Sequence, residues 1–133
     1  MKALSDLQAW YLAQCNGDWE HGSGVTITTL DNPGWSVAID LAGTTLDGKE
    51  FSETGYGLAN APELKFDSNG RVLVDDPSYE AAIQFQNDPN WLICSVKENR
   101  FEGYGGPEKL EEVLITFLRW AAGTEYQAHT VGA

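Results

Sequence analysis

The sequence predicts an α+β domain: a meandering antiparallel β-sheet of about six to eight strands, flanked by an N-terminal and a C-terminal helix. Alternation is the first observation behind this prediction. Trp35, Val37, Ile39 and Leu41 are separated by small or polar residues, which is the period of a half-buried antiparallel strand. The second observation is an apolar stripe at helical spacing near the C-terminus. A chain of 133 residues fits a single domain over residues 1–133, with a tail expected to be mobile after about residue 126.

The N-terminal helix is predicted to begin at Ser5, a good N-cap, and to end at Asn16-Gly17. One face of this helix is predicted to pack on the sheet because its apolar residues recur at helical spacing. They are Leu4, Leu7, Trp10, Tyr11 and Cys15.

Three hairpins are predicted in the first half of the chain. Strands Val25–Leu30 and Trp35–Leu41 enclose a type II turn at Asn32-Pro33-Gly34-Trp35, with positive φ at the glycine. Turn residues at Asp47-Gly48 and at Asp67-Ser68-Asn69-Gly70 indicate the other two. Their predicted strands are Thr44–Leu46 with Phe51–Tyr56, and Glu63–Phe66 with Arg71–Asp75.

The second half of the chain is predicted to add strands and then a helix. Tyr79–Gln86 reads either as an alternating strand or as a short helix, since its residues suit both. Trp91–Lys97 is apolar on both faces, which predicts a central strand, and a turn at Glu98-Asn99 leads into Phe101–Tyr104.

The last helix is predicted to start at Pro107 and to end at Gly123. Acidic residues near its start suit the helix dipole; they are Glu108, Glu111 and Glu112. Its apolar stripe consists of Leu110, Val113, Leu114, Phe117, Leu118 and Ala121. We expect this stripe to pack on the same face of the sheet as Val37 and Ile39.

The charge balance limits the classes of partner. Twenty acidic residues against eight basic ones give a formal net charge of −12, which disfavours nucleic acid and anionic membranes. The charge either serves solubility alone or attracts a basic partner. The sequence has no apolar run of about 20 residues and no apolar signal core, so we expect a cytoplasmic protein. Cys15 and Cys94 are expected to be free and buried.

Asp18, Glu20 and His21 have the residue types of a metal site or an acid–base pair. No second pair of ligands stands at a standard spacing, so neither a metal, a cofactor nor a catalytic residue is predicted. We expect the Asp18 carboxylate to cap its loop and Trp19 to anchor the loop in the core. Neither cysteine has a setting that would stabilise a thiolate.

Two blocks of sequence carry a family resemblance. Asp18-Trp19-Glu20-His21, followed by a threonine-rich strand and by Leu30-Asp31-Asn32-Pro33-Gly34-Trp35, resembles the immunity protein 53 family. These are small bacterial proteins of polymorphic toxin systems. The resemblance implies a non-enzymatic protein that binds and neutralises a cognate toxin, and the acidic charge adds that this toxin is basic.

The residues expected to bind this partner are acids in predicted turns and loops. They are Asp18, Glu20, Asp31, Asp75, Asp76, Glu98 and Glu102. Two alternatives stay open from the sequence alone. One is a small-ligand or carbohydrate-binding module that uses exposed Trp and Tyr rings. The other is an enzyme that uses Asp18, Glu20 and His21.

Overall fold

The part of the chain that the structure describes folds into one five-stranded antiparallel sheet with its longer helices on one face. A computed structural model describes residues 2–57, 65–80 and 88–123. The elements are α1 (Lys2–Gln14), α2 (Trp19–Gly22), β1 (Val25–Leu30), β2 (Gly34–Asp40), β3 (Thr54–Tyr56), β4 (Leu92–Lys97), β5 (Arg100–Gly105) and α3 (Leu110–Ala122). The strand order is β1-β2-β5-β4-β3. The α+β fold class is confirmed, with fewer strands in the described residues than the six to eight predicted.

Two hairpins, β1–β2 and β4–β5, lie side by side in this sheet. The register of the first runs from Val25 opposite Ile39 to Leu30 opposite Gly34. The second turns through Glu98 and Asn99, whose φ angles of 52° and 60° are both positive. A two-residue turn of this kind matches the right-handed twist of the strands it joins. Strands β2 and β5 then pair along their whole length.

The core lies between the sheet and α3, as the two apolar patterns predict. Val37, Ile39 and Phe101 on the sheet are fully buried, and so are Val113 and Phe117 on α3. The Phe117 ring stands 5.1 Å from that of Phe101 between centroids. Sheet and helix are therefore joined through aromatic contacts, and the predicted packing of α3 is confirmed.

Helix α1 starts earlier than predicted and is rotated about its axis. It begins at Lys2, not Ser5, because Ala3 is fully buried and docks the first turn. The buried residues of α1 are Ala3, Leu7 and Gln14, whereas Leu4 and Tyr11 are exposed. The predicted apolar face is therefore wrong at Leu4 and Tyr11.

The turn between β1 and β2 is not the predicted type II turn. Residues 31–33 form the turn, and Gly34 is already the first residue of β2, without positive φ. The glycine is needed for a different reason: a Cβ at this position would collide with the carbonyl oxygen of Gly105 on β5. Close approach of two strands, not turn geometry, explains this residue.

The other two predicted hairpins are largely wrong. Residues 42–48 form successive turns, because the Asp47 carboxylate accepts a hydrogen bond from the Gly43 N–H and closes the segment. Strand β3 pairs with β4 instead. The Asp67–Gly70 turn forms, but it joins only one bridge, Phe66 opposite Val72. Residues 63–64 of this predicted hairpin lie outside the described residues.

Two further boundaries differ from prediction. Residues 77–80 are helical, so the strand interpretation is wrong at Tyr79, and residues 81–86 lie outside the described part of the chain. Helix α3 begins at Leu110, not Pro107, because residues 107–108 form a turn whose Pro107 carbonyl accepts the Trp35 Nε1–H at 2.9 Å. Gly123, at φ 76°, ends α3 as predicted. The predicted mobile tail lies outside the described residues.

Candidate functional site

The feature that stands out on the surface is the free edge of β1, the side of this strand that faces away from β2. The Asp40 N–H donates to the Gly24 carbonyl at 3.1 Å, so these two residues form a hydrogen-bonded pair just before β1. Such pairs alternate along an antiparallel ladder. The N–H and C=O groups of Val25, Ile27 and Thr29 therefore point away from β2.

In the residues that the structure describes, the free edge lacks the charges, prolines and bulges that usually prevent strand pairing. Natural sheet edges are commonly protected by charged residues, by proline or by bulges. Strand β1 has the sequence Val-Thr-Ile-Thr-Thr-Leu, with no charge and no proline, and its register with β2 is unbroken. Thr26, Thr28 and Thr29 are exposed. As far as the described residues go, the edge is thus an open row of backbone donors and acceptors.

A groove, called here the α1–β1 groove, lies beside the start of this strand. Its volume is about 400 Å³, and it is lined by Leu7, Gln8, Tyr11, Ser23, Gly24 and Val25. Tyr11 is 38% exposed, and its ring centroid is 5.9 Å from that of Trp19 beneath it. The groove therefore offers aromatic and aliphatic surface next to the open backbone.

Side chains of the loop that joins α1 to β1 hold this loop in place. Trp19 is 7% exposed, and its ring lies edge-on to that of Trp10 with 6.2 Å between the ring centroids. The expectation that Trp19 anchors the loop is therefore confirmed. The Asn16 side-chain oxygen accepts the N–H groups of Asp18 and Trp19. The Glu20 carboxylate accepts those of Asn16 and Gly17, at 2.9 and 2.7 Å.

The loop-capping role that the sequence predicts for Asp18 is filled by Glu20. Hydrogen bonds from backbone N–H groups, its own first and then that of Asn16, hold the pKa of the Glu20 carboxyl below its ordinary value. The Asp18 carboxylate makes no capping hydrogen bond, so the expectation that it caps the loop is wrong. Glu20 serves the loop, and Asp18 is left exposed to solvent.

The chain segment that contains α1, β1 and β2 is rich in acids. Residues 3–48 contain six carboxylates and no Lys or Arg: Asp6, Asp18, Glu20, Asp31, Asp40 and Asp47. Four of the six have partners, since Asp6 pairs with Lys2, Asp40 with Arg100, Asp47 with Asn99 and Glu20 with its loop backbone. Within the described residues the carboxylates of Asp18 and Asp31 have none. These two acids precede and follow β1.

The other predicted acids lie elsewhere. The Asp76 carboxylate accepts the Ser78 N–H at 2.8 Å, and this hydrogen bond lowers its pKa; Asp75 beside it is exposed. Glu98 is in the β4–β5 turn, at the end of the sheet opposite Asp31. Glu102 is in the middle of β5, opposite Ala38 and Ser95, on the face turned away from α3. The seven acids therefore do not form a single patch.

The geometry gives little support to the two alternatives. Asp18, Glu20 and His21 line neither the α1–β1 groove nor a second depression of about 270 Å³ beside Tyr56, Glu112 and Arg119. All five Trp side chains are at least partly buried, whereas Tyr11 and Tyr56 are exposed. No group of three His, Cys, Asp or Glu residues that could hold a metal occurs in the described residues.

The two thiols are free, as predicted, but they differ in burial. Cys94 is fully buried in β4, and burial raises the pKa of its thiol to about 12. Cys15 is only half-buried, so the prediction of burial is confirmed for Cys94 alone. A thiol with so high a pKa is unreactive at neutral pH.

Comparison with known proteins adds one match. Residues 4–122 are similar to the family model described as immunity protein 53. Comparisons with curated proteins and with solved structures gave no match. Among the described residues, no helix is long and apolar enough to cross a bilayer.

Proposed function

Because the chain belongs to the immunity protein 53 family, we propose that it binds a cognate toxin of a bacterial polymorphic toxin system and blocks it without catalysis. Membership implies a neutralising role toward a toxin. The match over residues 4–122 carries the proposal, since it spans most of α1, the whole described sheet and α3. The family resemblance at Asp18-Trp19-Glu20-His21 lies in the loop that leads to the free edge of β1.

The proposed toxin is basic. A net charge of −12 attracts a cationic protein and raises the rate of encounter, whereas it repels nucleic acid and anionic lipid. Steering of this kind is weakened by salt, because the field is screened within about 8 Å at physiological ionic strength. Affinity after encounter depends on a few desolvated contacts, which control the rate of dissociation.

The proposed place of action is the cytoplasm. Both cysteines of the chain are free thiols, which suits a reducing compartment. Neutralisation there requires only that the complex form before the toxin reaches its target, so occupancy of the toxin decides protection.

The experiment is co-expression with the toxin domain encoded beside this gene. Cells that produce the toxin domain alone should stop growing, and cells that also produce this protein should grow. The purified pair should elute as one complex, with the toxin activity abolished and the toxin chain intact by mass spectrometry. Cleavage or modification of the toxin would contradict a non-catalytic role, and failure both to bind and to protect would contradict the proposal as a whole.

A further inference from the structure

We infer that the free edge of β1 accepts an extended segment of the toxin, which adds to the sheet as a further strand. This inference rests on the proposed function and specifies its binding surface. It assigns the contact to the backbone of Val25, Ile27 and Thr29 rather than to a patch of acidic side chains. Strand addition of this kind takes its affinity from main-chain hydrogen bonds and its selectivity from alternate side chains.

The backbone of β1 is already held in the geometry that an added strand needs. All six residues of β1 are paired to β2. The backbone N–H and C=O groups of Val25, Ile27 and Thr29 point away from β2 and have no partner in the described part of the chain. A partner strand would therefore gain hydrogen bonds at every second residue without rearrangement of the sheet. Little conformational entropy is lost on the side of this protein, because the edge is preformed.

The two faces of β1 specify an alternating segment. On the helix side, a residue added beside Val25 meets the α1–β1 groove, where Leu7 and Tyr11 offer apolar contact. On the other side, a residue added to the strand lies next to Thr26 and Thr28, which are exposed and polar. The matching segment has apolar residues facing the groove and polar residues between them.

The charges at the two ends favour a basic segment of the toxin over a second copy of this chain. Asp18 and Asp31 flank the uncharged strand and have no partners in the described residues. Antiparallel pairing of β1 with another β1 would bring Asp31 of each copy toward the loop that contains Asp18 and Glu20 of the other. Like charges placed together in this way are unfavourable, whereas Lys or Arg at the ends of a toxin segment would pair with them.

A pair of substitutions at Thr29 tests the inference, because they differ at the backbone. Thr29→Ala removes the exposed side chain and keeps the outward N–H, whereas Thr29→Pro also removes that N–H and leaves the inward hydrogen bonds of Thr28 and Leu30 to β2 in place. With the purified toxin domain encoded beside this gene, Thr29→Ala measures the effect of the lost side chain alone. Thr29→Pro should bind about 10- to 100-fold more weakly than Thr29→Ala. Circular dichroism and the midpoint of thermal unfolding establish that each variant is folded.

Amide hydrogen exchange on the wild-type protein gives a second test that needs no variant. The Val25, Ile27 and Thr29 amides should exchange quickly in the free protein and at least about tenfold more slowly in the complex. The Thr26 and Thr28 amides, which face β2, should be protected in both.

Tight binding without added protection at the three outward amides, or equal loss of binding in both Thr29 variants, would overturn strand addition and leave the toxin-binding role intact. A free protein that is dimeric, and that Thr29→Pro makes monomeric, would assign the edge to a second copy. A wild-type protein that does not bind the toxin would overturn the proposed function itself.

Discussion

The two edges of the sheet are built in opposite ways. Strand β1 is six residues long, uncharged and open along its outer side. Strand β3 at the other edge is three residues long, and Tyr56 at its end donates a hydrogen bond to Glu112 of α3 at 2.5 Å. The chain entering β3 is also attached to α3, because Lys49 Nζ donates to the Trp120 carbonyl and Trp120 Nε1 donates to the Glu50 carbonyl, each at 2.7 Å.

This difference separates an edge that serves stability from an edge that is available for binding. Lys49, Glu50 and Phe51 each contact Trp120, so the chain that enters β3 is held against α3. Among the described residues, β1 is held by its pairing with β2 and by the partly buried side chains of Val25 and Ile27. This half-buried face fixes the register of β1 while its outer side stays open.

The largest expected effect concerns the core that supports both edges. Phe117→Ala removes a fully buried ring that contacts Trp10, Phe101 and Trp120, and it should lower the free energy of unfolding by about 3–5 kcal/mol. Urea denaturation measures the change. Leu12→Ala is the control, since Leu12 is 71% exposed on α1, and it should stay within about 0.5 kcal/mol of the wild type. Equal stability of the two variants would contradict the packing of α3 on the sheet.

A smaller effect is expected from filling the space between the sheet and α3. A Cβ on Gly103 would lie 2.5 Å from Val113 Cγ1 and 3.3 Å from Cys94 Sγ. Gly103→Ala should therefore cost about 1–3 kcal/mol, because a close-packed interior does not accept the extra methyl group without a shift of α3. Gly22→Ala is the matched control, since nothing lies within 4 Å of its Cβ position. Thermal unfolding that leaves Gly103→Ala as stable as the control would show that α3 can move freely.

The third prediction compares the acids that flank β1 with acids elsewhere on the surface. Asp18→Lys together with Asp31→Lys should slow association with the toxin by about tenfold and reduce its dependence on salt. Glu20 is left unchanged, because its carboxylate holds the loop backbone. The control is Glu53→Lys together with Glu108→Lys, which makes the same change in net charge at exposed positions outside β1. Stopped-flow association at several salt concentrations gives the comparison, and equal slowing by both pairs would mean that only net charge matters.

The smallest effect is expected at the β3 edge and depends on pH. The hydrogen bond from Tyr56, and then that from Lys109, lowers the pKa of the Glu112 carboxyl. A carboxylate with a lowered pKa adds stability above its unfolded pKa and loses it as the pH falls through its folded pKa. Glu112→Gln should thus destabilise the protein at pH 7, by about 0.5–1 kcal/mol for a half-exposed group. The difference should shrink toward zero below about pH 4.

The neighbouring residue provides the control for that measurement. Glu111→Gln removes the same charge from an exposed position one residue away, without a partner in the described part of the chain. Its stability should follow that of the wild type across the pH range. If the two variants behave alike, the contact between Tyr56 and Glu112 contributes nothing to the β3 edge.

The sequence predicts those parts of the fold in which periodicity and burial agree. Val25–Leu30, the alternation from Val37 to Leu41 and the stripe of α3 were predicted correctly, because each pattern repeats over several residues. Single turn residues were less informative. Gly34 is typical of a turn, and Pro107 is typical of a helix start. Contacts with distant residues decide their conformation instead, since Gly34 lies against Gly105 and the Pro107 carbonyl accepts a hydrogen bond from Trp35.

The candidate site was predictable only in part, for a topological reason. The sequence shows Asp18 and Asp31 as acids and β1 as an uncharged strand. Whether β1 is an edge depends on the pairing of β2 with β5, which joins residues 60 positions apart, such as Asp40 and Arg100. Local patterns contain no information on such a pairing. The sequence does contain a signal for the capping role of Glu20, because the spacing of Asn16 and Glu20 is typical of a loop closed by side-chain hydrogen bonds.

The pairing of β2 with β5 also determines the order in which the strands can pair during synthesis. The β1–β2 hairpin can form as soon as residue 40 has left the ribosome, but β5 is complete only at residue 105. At about 5–20 residues per second, the hairpin waits roughly 3–13 s for its neighbour. During this interval β2 also has an unpaired edge, so the nascent hairpin offers β1 and β2, whereas the described sheet of the finished protein offers β1 and the short β3. The outer edge of β2 closes only when β5 is made, and β1 is then the longer and uncharged edge strand of the described sheet.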